Sequence, residues 1–488
     1  MPVHPLRRLA PHDRPVHPDR DYVLYWMTTA RRTRYHFGLQ HALDLARAHG
    51  KPLLVLEAIR AGYRWASERF QRFAVEGMAD NARAFAAAGV HYYAYVEPTP
   101  GDGKGLLEAL AARAVAVVAD HYPCGFFPRM VAAASDRLDV QLEAIDANGV
   151  YPVAHADRTF KTAASFRRHL QKTLLPFLED RPEEEPLRGY DLGMAELPDD
   201  VARRWPHAER WLTDPARVSE LGLPSPGPVS LQGGAVEGGR VLDRFVAQRL
   251  DGYGERNHPD REVASGLSPW LHWGHVAAWE VIDRVLTRED FHPGQLGKVT
   301  GSREGWWGLS EAAEGFLDEI VTWRELGYVF THRNPDYDRF EALPEWARKT
   351  LADHAADPRD ELYDDAALAE ARTGDPIWNA AQRELVHTGV MHNYLRMLWG
   401  KKVLQWSATP AQAFARLVDL NNRYALDGRD PNSYSGIAWV FGRFDRAWGP
   451  ERPIFGKVRY MTSDSTRRKL KLKAYLQRFG DDGLLAAK

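Results

Sequence analysis

Cysteine occurs once in the 488 residues, as Cys124. This excludes an internal disulfide and any multi-cysteine zinc or iron–sulfur site, so no metal site is assigned and a reducing, cytoplasmic compartment is expected. Apolar runs long enough to span a bilayer are missing as well, and no membrane partner is expected. Residues 1–20 are rich in Pro, His and Arg and lack the apolar centre of a signal peptide, so they read as a flexible tail. No large charge excess exists: 64 Lys and Arg against 66 Asp and Glu leave a net charge of -2. That argues against a histone-like polycation but leaves room for a basic face. A dinucleotide fingerprint is absent too. Gly101-Asp-Gly-Lys-Gly105 lacks both the last glycine of that motif and the Ser/Thr of a phosphate loop, and it reads as a turn.

What is present is a soluble globular composition, 44% hydrophobic and 27% charged, in a chain long enough for two or three domains. Apolar runs at 22–27, 52–57, 90–97, 115–120 and 140–145 alternate with helical patterns near 33–48, 67–88, 104–112 and 128–137. This rhythm predicts a doubly wound, Rossmann-like parallel sheet over 21–147, with any ligand beyond the carboxyl ends of its strands. An acidic Pro run and a Pro/Gly stretch make 148–239 an interdomain connector without its own core. Its basic piece at 160–171, which holds Lys161, Arg167 and Arg168, reads as a solvated face. From 240 to 488 the apolar spacing is helical, and an all-α domain is expected.

The sixteen tryptophans concentrate attention on that helical half. Ser265-Gly-Leu-Ser-Pro-Trp-Leu-His-Trp-Gly274, preceded by Tyr253 and Arg256, reads as a Ser-capped helix start with Pro269 in its first turn. Such an end can also seat a pyrophosphate. Glu319 and Trp323, four apart within a helical window at 315–330, put a carboxyl beside a broad aromatic face. A second window at 378–406 carries Trp399 and Trp406 seven apart, a spacing that stacks them along one side of a helix, which normally means core packing and can also pass an electron hole. Residues 421–460 mix Asn, Asp, Trp and Arg between helices, with Asp-Gly and Asp-Pro turns aiming polar groups at a planar ligand.

Taken together, the Tyr-x-x-Arg-Asn segment at Tyr253, the Ser-Pro block, Glu-x-x-x-Trp-Arg-Glu-Leu, Trp-Asn-Ala, Met-His-x-Tyr-x-Arg-Met-x-Trp and residues 421–461 resemble the photolyase and cryptochrome family. The similarity is strongest to class II cyclobutane pyrimidine dimer photolyases. It implies an α/β antenna-type domain followed by a helical domain holding FAD, with reduced FADH⁻ as the active form. Tyr253, Leu267 and Ser268 would contact its phosphates, Arg396, Asp427 and Asp430 its ribityl chain and ring, and Asn421 the flavin N5, stabilising reduced forms.

The resemblance also implies light-dependent DNA repair by a carbon–carbon lyase acting as a monomer on ultraviolet-damaged DNA and associated with the nucleoid when bound. The alternative is a cryptochrome-like photoreceptor without repair. A flipped-out dimer would be sandwiched by Trp323 and Trp439, lined by Met397 and hydrogen-bonded by Glu319. Trp399 would stand nearest the flavin and Trp378 beyond it in a photoreduction path, with Trp406 a further relative. Arg443, Arg446 and Lys457 belong to a basic stretch at 443–473 expected to neutralise DNA phosphates. Two departures stand out: Asn422 where the family carries Asp, and 28–37, TTARRTRYHF, which breaks the family pattern at the first helix of the antenna domain. A second, antenna chromophore is therefore expected without an assigned identity or ligand set.

Overall fold

The computed structural model describes residues 2–10 and 12–481. Its chain divides into two compact units: 1–157 with 174–243 and 267–286, and 158–173 with 244–266 and 287–488.

The first unit is built on a six-stranded sheet ordered β1-β6-β5-β2-β3-β4. Strands β2 (Tyr22–Met27), β3 (Leu53–Ile59), β4 (His91–Val96), β5 (Ala114–Asp120) and β6 (Leu142–Ile145) are mutually parallel. Helices α1 (Phe37–His49), α2 (Glu68–Ala87), α3 (Leu106–Ala111) and α4 (Phe127–Arg137) connect them. The strand residues of β2 and β5 are buried throughout, as expected of a parallel sheet covered on both faces. The doubly wound expectation therefore holds.

Two sequence expectations for this unit are corrected. The supposed tail contributes β1 (Arg8–Leu9), antiparallel to β6. Its fully buried Arg7 donates to the carbonyls of Asp146, Gly149 and Val150 and lies over the Phe37 ring. A buried guanidinium with carbonyl acceptors ties down chain that composition alone describes as loose. The connector, too, is less empty than its composition implies: Ala195, Val201 and Trp205 join the core formed by the sheet.

The divergent segment at 28–37 is locked by the sheet. The Asp120 carboxylate, at the end of β5, accepts from the amides of Thr28, Thr29 and Ala30 at 2.8–2.9 Å and from Tyr25 Oη at 2.7 Å. The Gly101–Gly105 loop is a turn, as read: Gly101 and Gly103 donate their amides to Glu97 Oε1.

The second unit is helical. The window expected at 378–406 is two helices, Pro376–Thr388 and Asn393–Gln405, because Gly389 takes a left-handed conformation (φ 75°) that ends the first. The window at 315–330 runs through Glu311–Leu317 and Arg324–Arg333, joined by a π turn, Asp318–Trp323. A second π turn, Phe245–Arg249, precedes Tyr253. Among the described residues no helix is long and apolar enough to cross a membrane.

Candidate active site in the helical unit

The π turn carries both Glu319 and Trp323. An inserted residue re-aims side chains that a regular helix would stack, and such turns recur where chemistry is done. Glu319 Oε1 accepts from Arg256 Nη2 at 3.1 Å, with its side chain 33% exposed. Burial nonetheless holds its carboxyl above the usual range, with the Asp318 charge adding to that and Arg256 opposing it. Arg256 also lies over the Tyr253 ring, 4.7 Å from its centre. Burial raises the phenol of Tyr253 well above its ordinary value. The role of Arg256 was not assigned from sequence, although its spacing of three from Tyr253 is one helical turn.

Trp323 is half-buried at the start of the helix Arg324–Arg333, and Trp439 is half-buried near the end of the helix Pro431–Val440. These helices pack closely. A Cβ on Gly327 would come within 2.9 Å of Asn432 Oδ1 and 3.0 Å of Ser435 Oγ, so any larger residue would have to displace those side chains. Around Trp439, Lys401 Nζ lies 5.1 Å and Arg459 Cζ 5.6 Å from the ring centre. Met397 is half-buried on the helix Asn393–Gln405.

The polar stretch beyond 421 separates into two kinds of residue. Asn421 is 3% exposed, yet its amide makes one long bond of 3.4 Å, to Asn422 Oδ1. A buried amide so little used by protein is suited to another partner. Arg396 Nη2 meets both carboxylate oxygens of Asp427, at 3.0 and 3.2 Å. By contrast Asp430, expected near the ring, caps the helix Pro431–Val440 by accepting from the Asn432 amide at 2.8 Å. Asn422 is also structural: fully buried, it donates to Tyr434 Oη and accepts from the Arg429 amide. The neutral amide can donate where a carboxylate could only accept.

The tryptophan cluster is sealed. Trp378 and Trp399 stack with centroids 6.4 Å apart and planes 8° off parallel, and Trp406 meets Trp378 edge-on at 5.5 Å. Trp399 and Trp406 are thus linked through Trp378, not stacked along one helix side as their spacing suggested. Trp406 follows the helix end, where the seven-residue register no longer applies. The indole N–H of Trp378 donates to the Trp399 carbonyl and that of Trp399 to Gln382 Oε1.

Leu267 and Ser268 belong to the first unit. There Leu267, not a serine, stands at the N-cap of the short helix Ser268–His272, and its own side chain makes no capping bond. Of the basic stretch, Arg446, Lys457, Arg467, Arg468, Lys469, Lys471 and Lys473 are exposed. Arg443 is not presented in the same way: it donates to the Ala342 carbonyl and lies between Phe330 and Phe444. Phe444 is its neighbour in sequence, but Phe330 reaches it only through tertiary packing that charge counting cannot reveal.

A parallel-sheet unit is thus joined in one chain to a helical unit with stacked tryptophans and a carboxyl in a π turn. Comparisons with known proteins give the class. A family model described as the FAD binding domain of DNA photolyase matches residues 316–417. A deoxyribodipyrimidine photo-lyase of Methanothermobacter thermautotrophicus is 33% identical over 94% of this chain and 94% of its own length. One from Oryza sativa is 34% identical over 93% of this chain and 86% of its own. Among solved structures, a class III photolyase from Agrobacterium tumefaciens superposes with a TM-score of 0.65 at 17% identity, covering 94% of this chain and 86% of that one. The chain belongs to the photolyase and cryptochrome family.

Proposed function

We propose that the chain splits cyclobutane pyrimidine dimers in ultraviolet-damaged DNA with light, as a monomeric enzyme of the class II branch. The near full-length similarity to proteins named deoxyribodipyrimidine photo-lyase supports the activity. The motif set at Tyr253, Glu319, Trp399 and Asn421 supports the branch. FAD fits the residues present: the underused Asn421 amide and the Arg396–Asp427 pair suit the ring and its ribityl chain, and Tyr253 the phosphates. In its reduced form the bound flavin supplies the light-driven electron that opens the cyclobutane ring.

The chain's own residues hold and polarise the lesion. Trp323 and Trp439 each offer an accessible indole face on which an extruded pyrimidine can stack, about 1–3 kcal/mol per base. The Glu319 carboxyl is the observation that carries the reading. Held above its usual range by burial, it keeps a proton at higher pH than an ordinary glutamate and can donate to a pyrimidine carbonyl as negative charge develops there. Repair by prereduced enzyme therefore falls as pH rises through that raised midpoint. Exposed Arg446 and Lys457, with the basic run at 467–473, would neutralise flanking phosphates.

The test is an absorption spectrum of the purified protein with a blue-light repair assay on irradiated thymine oligomers. Flavin bands with repair are expected; a flavin without repair would favour a photoreceptor, and no flavin would sink both readings. A second chromophore would add a near-ultraviolet or violet band to the same spectrum. Glu319→Ala should keep the flavin and lower the quantum yield by about tenfold, the size of one hydrogen bond to a charged group. An unchanged yield would remove Glu319 from the mechanism.

A further inference from the structure

The helix Ala163–Thr173 holds the basic residues that the sequence presents as a solvated face, but one of them is not solvated. Arg167 Nε and Nη2 donate to Asp318 Oδ1 and Oδ2 at 2.7 and 2.8 Å, and Nη1 donates to the Gly301 carbonyl at 3.3 Å. Two parallel bonds between a guanidinium and a carboxylate fix orientation as well as distance. One turn further along, Gln171 accepts from the amides of Thr300 and Gly301 and donates to the Ser302 carbonyl. This helix thereby grips both the loop around 300–302 and Asp318, the first residue of the π turn, which is 5% exposed.

Glu319 is the next residue. The charged and titratable groups facing it are Arg256 and Tyr253 from the segment 253–256, Arg303 from the loop, and Asp318 from its own turn. Arg256 and Arg303 favour its ionised form, and Asp318 disfavours it. Arg167 touches Asp318 and offsets part of its charge.

We propose that Arg167 and Asp318 form a positioning pair that fixes the π turn and sets the charge felt by Glu319. The proposal rests on the reading of Glu319 as the carboxyl that faces the dimer. It demands effects of opposite sign from the two halves of one ion pair. Asp318→Asn removes a negative charge beside Glu319, so Glu319 ionises more readily and its titration midpoint falls by about one pH unit. Arg167→Gln leaves that negative charge uncancelled, and the midpoint rises by about as much. In the double variant the two opposed shifts offset one another, and the midpoint returns towards that of the parent.

Infrared titration of the protonated-carboxyl band in the full-length, flavin-loaded protein reads this directly, the band being assigned by its disappearance in Glu319→Gln. The alkaline limb of repair by prereduced enzyme gives the second readout and should move with the band. Opposed shifts that offset one another in the double variant support the pair. Shifts of the same sign, or no shift, overturn it, because a pair that only holds the fold would lower activity in both variants without opposed titrations. Where Arg167→Gln does not fold, Arg167→Lys keeps the charge while losing the fork, and its midpoint should stay near that of the parent; a shift of about one pH unit would overturn the proposal. Normal repair by Glu319→Gln would defeat the reading of Glu319 alone, since the infrared titration still judges the coupling.

Discussion

Two sets of tryptophans in the helical unit differ in everything but residue type. Trp378, Trp399 and Trp406 are at most 3% exposed, stack or meet edge-on, and two of them give their indole N–H to neutral oxygens. Trp323 and Trp439 are half-buried, and Trp439 stands between Lys401 and Arg459. A unit positive charge about 5 Å from an indole that has lost an electron costs about 3 kcal/mol at an effective dielectric near 20. Lys402 also lies 5.2 Å from Trp406, but it is paired with Asp375 at 3.2 Å. Of the two cations at Trp439, Arg459 is likewise paired, with Asp445 at 2.7 Å, so the contrast rests on Lys401, whose ammonium meets a carbonyl. The sealed set is thus suited to carrying a positive hole, and the open set to stacking on a planar ligand.

The sharpest way to break that contrast is photoreduction of oxidised flavin. Trp399→Phe should abolish it while sparing repair by chemically reduced enzyme, and Trp439→Phe should leave it unchanged. Slowed photoreduction in Trp439→Phe, followed by flash absorption, would put both sets in one path.

Stability comes next in size. Truncating the fully buried Trp378 to Ala should cost about 3–5 kcal/mol in urea unfolding. The half-buried Trp323 should cost less than about 1 kcal/mol on the same change. Equal costs would mean that Trp323 is core and not a stacking face. For lesion binding the ranking reverses. Trp439→Ala should weaken binding to irradiated oligomers by about tenfold to a hundredfold, from about 1–3 kcal/mol of lost stacking. Trp378→Phe should not change it.

Only part of this contrast could be read from the chain. The parallel sheet was legible because β2, predicted at 22–27, is an unbroken apolar run between helical patterns, and such runs have few other uses. Trp399 and Trp406 were legible as core from their spacing, but the stacking of Trp399 on Trp378 was not. Gly389 folds two helices against one another, and no single periodicity spans that break. The same limit hid Arg167: a helix with four basic residues looks solvated until the element that takes one of them is known. Glu319 and Trp323 were found by their spacing, yet the π turn that aims them leaves no mark in that spacing. Arg7 shows the remaining failure, a charged residue in a Pro-rich leader whose burial depends on three carbonyls more than a hundred positions away.

The smallest effect concerns the cation beneath the open set. Lys401 is 1% exposed, its ammonium bonded to the Val440 carbonyl at the end of the helix that carries Trp439, and burial lowers its pKa to about 7. Unfolded, a lysine keeps its proton to about pH 10.4. Between these values the unfolded chain binds more protons than the folded one, so this group's contribution to stability rises with pH and is least favourable below about pH 7. From about pH 7 to pH 8 the gain is about 1 kcal/mol. Lys401→Met, which keeps the length of the side chain and removes the titration, should lack that gain when urea midpoints of the two proteins are compared across the window. A parallel pH course would mean that Lys401 stays charged in the folded protein. Trp439 would then sit beside two permanent cations, and its separation from the hole-carrying set would be greater still.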